Sequence, residues 1–326
     1  MLHAPAASGA RGSARAAGSR AGTARQVGDI GFRFTAMASD CEVRIAGLAR
    51  RRAEPLARAA IAEVRRIESK FSRYRPDSVV SRINAAAGSG AAIEVDAETA
   101  ALLDFAARLH DTSDGLFDIS SGALRRAWDF RAGRLPQPAE IEALLPLVGW
   151  HRVRWQLRSI DLPRRGMELD FGGFGKEYAA DRAATLLQAH GLRHGMVNLG
   201  GDIRLVGPRP DGSPWRLGIQ HPRAAGRLIA ELALDAGALA TSGDYERYFE
   251  HDGRRYCHVL DPRTGWPVSV WRSVSVVAPA CLAAGALSTV AMLKGAEALP
   301  WLQAQNVAYL AVDQQGRVHE RRAPGP

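Results

Sequence analysis

Lysine is scarce in this 326-residue sequence, and long apolar runs are absent. Lysine occurs only at Lys70, Lys176 and Lys294, and the rest of the positive charge is arginine scattered along the chain. The net charge is +9, but nucleic-acid-binding proteins usually gather their basic residues in a patch or stripe. We therefore expect no nucleic-acid partner. No run of about 18 apolar residues is present, so we also expect no membrane insertion.

Cysteine is equally sparse, with three residues at Cys41, Cys257 and Cys281. They lie far apart, and no two of them form a C-x-x-C pair. An odd number of widely spaced cysteines argues against a disulfide framework and against a zinc site. We expect three reduced thiols.

The two ends of the chain differ from the rest in composition. Residues 1–28 are mainly Ala, Gly, Ser and Arg, which bury too little apolar surface to fold, so we predict a disordered arm. The arm lacks the apolar segment of a secretory signal and a lipidation cysteine. We expect a cytoplasmic protein, or a periplasmic one if the true start differs. The remainder divides into a folded domain, 29–320, and a flexible tail, 321–326.

Hydrophobic periodicity within the domain predicts a mixture of helices and strands. Residues 131–146 contain three prolines and are predicted to form a surface excursion that could divide two lobes. The elements do not alternate regularly, so the fold class is predicted as α+β (mixed α/β), a single unit of two packed lobes. Helices are predicted at 55–71, 97–112, 176–190 and 282–294, with a short one ending at 83. Strands are predicted at 41–46, 153–157, 167–171, 195–199, 215–219, 228–234, 256–260, 273–278 and 308–312.

Glycine next to charged residues marks the segment 170–181, D-F-G-G-F-G-K-E-Y-A-A-D. A predicted strand ends at Asp170, and a predicted helix begins near Lys176. Glycines allow backbone amides to approach a ligand, and a helix N-terminus favours anionic groups such as phosphates. A tight strand–helix connection with a solvated lysine explains the pattern equally well.

Three further segments, 197–203, 240–265 and 284–289, combine glycine or other small residues with polar side chains. His258 stands at a predicted strand end, just before the turn D-P-R-T-G. A lone histidine is more often structural than functional. Tyr74 and Phe117 could stack on a planar ring, although core aromatics at helix ends look the same.

Taken in order, these segments resemble the FAD:protein FMN transferase family, also called the ApbE family. The resemblance covers residues from about 34 to 294. It is carried by Met37, S-x-Y-x-x-x-S around Tyr74, G-x-F-D at 115–118, D-x-G-G-x-x-K at 170–176, N-L-G-G-D at 198–202, S-G-D-Y at 242–245, H-x-x-D-P-x-T-G at 258–265, and a helix of small residues ending in Ser288-Thr289.

The resemblance implies a mixed α and β fold and a Mg²⁺-dependent enzyme. Its substrate would be FAD, from which FMN is moved through a phosphoester onto a Thr or Ser of a partner protein, with release of AMP. The backbone carbonyl of Gly173 and the side chain of Thr289 are implied metal ligands, and we predict His258 and Asp261 as catalytic residues. The implied FAD contacts are Met37, Tyr74, Leu116, Phe117, Asp118, Asp170, Lys176 and Val259.

Two positions depart from the family pattern. The family typically reads A-D-A-x-x-T in the last element, where the Asp is a metal ligand, but this chain has Gly285 there. It also has Glu177 where the family commonly has glycine. We expect the loss of the acid at 285 to weaken Mg²⁺ binding, with Asp244 or Asp261 as candidate replacements. Besides the transferase, the sequence leaves open a FAD pyrophosphatase and a flavin-binding carrier with a decayed metal site.

Overall fold

A computed structural model of the protein describes residues 28–322. The disorder predicted for 1–28 and 321–326 falls outside these residues, except at the inner end of each segment. The strands are β1 (Ile30–Ala36), β2 (Ser39–Ile45), β3 (Ile93–Glu94), β4 (Arg154–Gln156), β5 (Ser159–Asp161), β6 (Gly195–Leu199), β7 (Asp202–Gly207), β8 (Trp215–Gln220), β9 (Leu228–Leu234), β10 (Ala238–Gly243), β11 (Tyr248–His251), β12 (Arg254–Cys257), β13 (Trp271–Ala278), β14 (Ala308–Asp313) and β15 (Val318–Arg321).

The α-helices are α1 (Arg50–Phe71), α2 (Val79–Ala85), α3 (Ala97–Thr112), α4 (Pro138–Glu142), α5 (Gly175–Ala189), α6 (Cys281–Lys294) and α7 (Ala298–Ala304). Short 3₁₀ helices lie at Gly122–Arg126, Leu145–Leu147, Trp150–Arg152 and Gly295–Glu297.

An antiparallel sheet of eight strands forms the centre, in the order β1-β2-β6-β7-β10-β13-β14-β15. Its two faces are covered differently, because successive side chains of a strand point to opposite sides. Val197 of β6 packs against the layer of helices α1, α5 and α6, whereas its neighbour Met196 packs against the β8–β9 hairpin. The chain therefore has the predicted mixture of helices and strands, which confirms the α+β fold class.

Several predicted elements agree closely with the structure and others do not. Helix α3 and strand β6 have the predicted bounds. Helix α1 begins at Arg50 and continues through Pro55, because alanines at 53, 57 and 60 are fully buried on its inner face.

The predicted strand at 167–171 was wrong. Only Glu168 forms a bridge, to Ser121, and the backbone of Leu169 bonds the side chain of Asn84 instead of a neighbouring strand.

A second apolar cluster lies beside the sheet, in the region that follows α3. Trp128 stacks with Phe130 and Tyr256, and its indole N–H donates to the carbonyl of Gly265 at 2.8 Å. The predicted surface excursion at 131–146 is only partly exposed, because Ile141 of α4 is buried in this cluster. The cluster fixes the turn at 258–265 next to the sheet.

The helical stretch Cys281–Ala304 is long and apolar enough to cross a membrane by length and composition, with a mean hydropathy of 1.2. Such a stretch was not predicted from the sequence, which lacks an uninterrupted apolar run of about 18 residues. In the structure it is divided at Gly295, which has φ 57°, and half of it is buried. Helix α6 packs on β10, β13 and α5, so this stretch serves as a core helix.

Candidate active site

A cavity of about 560 Å³ opens between the helical layer and the loops that cross the ends of β7 and β10. Ligand pockets in proteins usually measure about 300–1,000 Å³. The predicted site residues that line it are Met37, Tyr74, Leu116, Phe117, Asp118, Asp170, Gly173, Lys176, His258, Val259 and Thr289. Predicted residues from six separate parts of the chain therefore meet at one place.

The loop from Asp170 to α5 forms one wall of this cavity. The carboxylate of Asp170 accepts from the backbone N–H of Gly172 at 2.8 Å and pairs with Arg125 Nε at 2.9 Å. A Cβ on Gly173 would lie 3.1 Å from the Phe117 ring, so glycine lets the backbone approach the wall closely. Phe174 precedes α5 and offers no capping side chain, which leaves the start of the helix open to an anionic ligand.

Lys176 stands in the first turn of α5 and pairs with Asp202 at the start of β7, at 2.8 Å between Nζ and Oδ2. Burial alone would lower the pKa of Lys176, but the carboxylates of Asp202 and Glu177 together outweigh burial and raise it. The ammonium group therefore stays charged at the cavity wall. The solvated lysine considered from the sequence is not what the structure shows.

His258 faces the cavity as a neutral imidazole. Burial, assisted by the nearby charges of Arg125 and Arg247, lowers the pKa of His258 to about 3. Its Nδ1 atom is buried without a hydrogen-bond partner among the described residues. A neutral imidazole with a free nitrogen can accept a proton or a hydrogen bond from a ligand.

The mouth of the cavity carries Tyr74, which is 74% exposed and has the guanidinium of Arg73 5.2 Å from its ring centroid. Met37 and Ala38, which also line the cavity, form a two-residue turn between β1 and β2, with φ 52° and 55°. Such positive φ values are unusual for residues other than glycine. The turn is held by Glu68, which accepts from the Met37 N–H at 2.5 Å.

Asp118 lines the cavity with both carboxylate oxygens engaged. Oδ1 accepts from the N–H and the hydroxyl of Ser120, and Oδ2 accepts from the Trp150 N–H at 2.8 Å. The carboxylate therefore fixes the loop that presents Leu116 and Phe117 to the cavity.

Oxygen atoms from two elements meet at the inner end of the cavity. Thr289 Oγ1 on α6 lies 2.8 Å from Ser242 Oγ on β10, which also bonds Ser288. Glu177 of α5 also lines the cavity, is 6% exposed, and leaves Oε2 without a partner among the described residues. Burial and the nearby carboxylate of Asp202 raise the pKa of Glu177.

The catalytic role predicted for Asp261 stays a prediction. Its side chain does not line the cavity; it pairs with Arg263 Nη2 at 2.8 Å and accepts from the Arg263 N–H, so it shapes the turn. Asp244, the other candidate acid, is held by two hydrogen bonds from Arg223 at 2.6 and 2.7 Å. Neither acid replaces a carboxylate at position 285.

The cavity also contains functional groups that the sequence analysis missed. Arg73, Arg125 and Arg247 line it together with Ser242 and Glu177. Four of these lie inside or next to motifs, but nothing local distinguishes Arg125 from the many other arginines. Within residues 28–322, no three His, Cys, Asp or Glu side chains cluster as a metal site.

Comparison with known proteins agrees with this cavity and fold. The sequence profile of the ApbE family matches residues 37–311, well over half of the chain. A FAD:protein FMN transferase from Vibrio cholerae is 35% identical over 240 residues, 71% of this chain and 71% of that protein. The crystal structure of the ApbE protein from Thermotoga maritima gives a TM-score of 0.84 at 31% identity, over 90% of this chain and 97% of that one.

The apo form of the flavinyl transferase ApbE from Pseudomonas stutzeri gives a TM-score of 0.79 at 31% identity, over 91% of this chain and 96% of that one. The family match, the sequence identities and the shared fold together show that this chain belongs to the ApbE family.

Proposed function

We propose that the protein is a FAD:protein FMN transferase. The observation that carries the proposal is the convergence of eleven predicted site residues, ten for FAD or metal and the catalytic His258, in one cavity of about 560 Å³. A relative that is 35% identical in sequence carries the name FAD:protein FMN transferase.

The cavity suits a ligand with a flat ring at one end and negative charge in the middle. Tyr74 at the mouth, with Leu116 and Phe117 on the wall, offers aromatic and apolar surface for the isoalloxazine ring. Lys176 and His258 lie further in, beside the open start of α5. A diphosphate placed there meets a fixed ammonium group and free backbone N–H groups.

A divalent cation fits the inner end of the cavity. The donors present are hard oxygen atoms, which Mg²⁺ prefers: the hydroxyl of Thr289, the backbone carbonyl of Gly173 and one buried carboxylate. When bound, Mg²⁺ would neutralise charge on the diphosphate oxygens as the bond between the phosphates breaks.

The transfer step moves one phosphoryl group. The acceptor hydroxyl forms a bond to the phosphorus of the FMN half, the bond from that phosphorus to the bridging oxygen breaks, and AMP leaves with the electron pair. The hydroxyl proton passes to the neutral imidazole of His258. Burial, and to a smaller extent the nearby arginines, lower the pKa of His258. An anionic diphosphate next to it would offset the charges of the arginines, and so make the imidazole a better proton acceptor in the complex.

The test is to incubate the protein with FAD, Mg²⁺ and a candidate acceptor domain, and to measure FMN added to the acceptor by mass spectrometry and AMP by chromatography. An acceptor whose target hydroxyl is removed, and a reaction with EDTA, are the controls. We expect FMN–acceptor and AMP in equal amounts. Free FMN and AMP without an adduct would show a pyrophosphatase, and bound FAD without either product would show a carrier.

A further inference from the structure

Glu177 is a buried carboxylate for which the fold supplies no complete set of partners. It is the third residue of α5, it is 6% exposed, and its Oε2 atom lacks a hydrogen bond among the described residues. Burying an ionised carboxylate without a partner is strongly unfavourable. Such a group indicates a cation or a donor that arrives with a ligand.

The neighbouring protein cations do not fill this role. Lys176 directs its ammonium to Asp202 at 2.8 Å. The other acids of the cavity wall differ from Glu177: Asp170 pairs with Arg125 at 2.9 Å and Asp118 accepts from backbone N–H groups. Glu246 is exposed to solvent. The free carboxylate oxygen at the inner end is therefore that of Glu177.

Gly285 on α6 provides the space that the Glu177 side chain occupies. A Cβ on residue 285 would lie 2.5 Å from Cγ and 2.8 Å from Cδ of Glu177, and closer still to Oε1. Thr289 lies one helical turn further along α6, on the same face as residue 285. The carboxylate of α5 thus reaches the position from which a side chain on residue 285 would start, and both Glu177 and Thr289 line the cavity.

We propose that Glu177 is the anionic ligand of the divalent cation in this protein, supplied from α5 instead of from position 285 on α6. The inference rests on the proposed function, because the cation is the one proposed there. This proposal explains the two departures from the family pattern together: the acid missing at 285 is replaced by the acid at 177. The charge of the site is conserved while the helix that carries it changes.

Mn²⁺ is the probe, because the free ion can be counted by electron paramagnetic resonance while the protein and FAD are held constant. Glu177→Gln keeps the size of the side chain and removes its charge. We expect it to weaken Mn²⁺ binding by about tenfold or more, in line with the loss of a metal ligand. Glu246→Gln is the matched control: it removes an exposed acid from the same cavity wall, and we expect a change of less than about twofold.

The double variant Glu177→Gly/Gly285→Asp moves the acid to α6. We expect it to bind Mn²⁺ within about fivefold of the wild type, since the carboxylate returns to the same place. Circular dichroism and FAD fluorescence quenching show whether each variant is folded and binds FAD, independently of the metal.

The inference is overturned if Glu177→Gln binds Mn²⁺ as tightly as the wild type while the wild type transfers FMN; the proposed function then stands alone. A wild-type protein that binds FAD but no Mn²⁺ rejects the inference and the magnesium part of the proposed function together. If the double variant is folded but does not bind Mn²⁺, then an Asp at 285 does not place its carboxylate where that of Glu177 lies, and this part of the inference is rejected.

Discussion

The contact between Glu177 and Gly285 predicts a strong energetic coupling between α5 and α6. In Gly285→Ala the new methyl group overlaps the Glu177 side chain, with 2.5 Å to Cγ and 2.8 Å to Cδ. Overpacking of this kind costs about 1–3 kcal/mol. Alanine gains about 1 kcal/mol over glycine inside a helix, so the single variant should lose up to about 2 kcal/mol of unfolding free energy.

In a Glu177→Ala background, the same Gly285→Ala substitution should raise the free energy of unfolding instead of lowering it. The obstructing side chain is gone, and the helix-propensity gain of about 1 kcal/mol should appear as stabilisation. The double-mutant cycle then gives a coupling energy of about 1–3 kcal/mol, which equals the overpacking cost.

Urea unfolding of the four proteins in EDTA, followed by circular dichroism, measures this coupling without any contribution from a metal ion. EDTA matters because Glu177 is also the proposed metal ligand. A coupling energy below about 0.5 kcal/mol would mean that the two sites behave independently. The Glu177 side chain would then not occupy the space next to residue 285, and the reasoning would be refuted.

Three further predictions concern the site and the acid stability of the fold. His258→Gln should slow AMP release by about 100-fold or more and change the FAD dissociation constant little, as measured by single-turnover kinetics and fluorescence titration. Thr289→Val should raise the Mg²⁺ concentration for half-maximal transfer by roughly tenfold, whereas Thr289→Ser should stay near the wild type. Glu98 has a pKa lowered to about 2, first by the hydrogen bond from Arg66, so its stabilisation is complete above its ordinary value of 4.5 and is lost as the pH falls towards 2. Urea titrations of Glu98→Gln across this range should show less loss of stability than the wild type, and equal losses would contradict the assignment.

Elements with a strong local signal could be predicted from the sequence. Helix α3 follows from its apolar spacing and from Asp96, whose side chain accepts from the Thr99 N–H and caps the helix. Strand β6 follows from a short apolar run between glycines. The strand predicted at 167–171 failed because Asn84, far away in the chain, takes the backbone bonds of Leu169.

The motifs of the site were predictable, but its pairings were not. The motif positions lie in order along the chain, and all of them except Asp261 reach the cavity. The position of the Glu177 carboxylate depends on how closely α5 packs on α6. The spacing of residues within either helix does not predict the distance between the two helices. Asp244 and Asp261 were equally plausible acids until the structure showed Arg223 and Arg263 bound to them.

The fit of Glu177 against Gly285 also limits how this chain can evolve. An Asp introduced at 285 meets an occupied space, and the loss of Glu177 before such a change leaves neither helix with an acid at that end of the cavity. Each single substitution between an acid at 177 and an acid at 285 is therefore unfavourable, so selection should retain the present pair. A sequence search that requires an acid at residue 285 would class this protein as lacking the metal site, whereas a search that accepts an acid at either 177 or 285 would not.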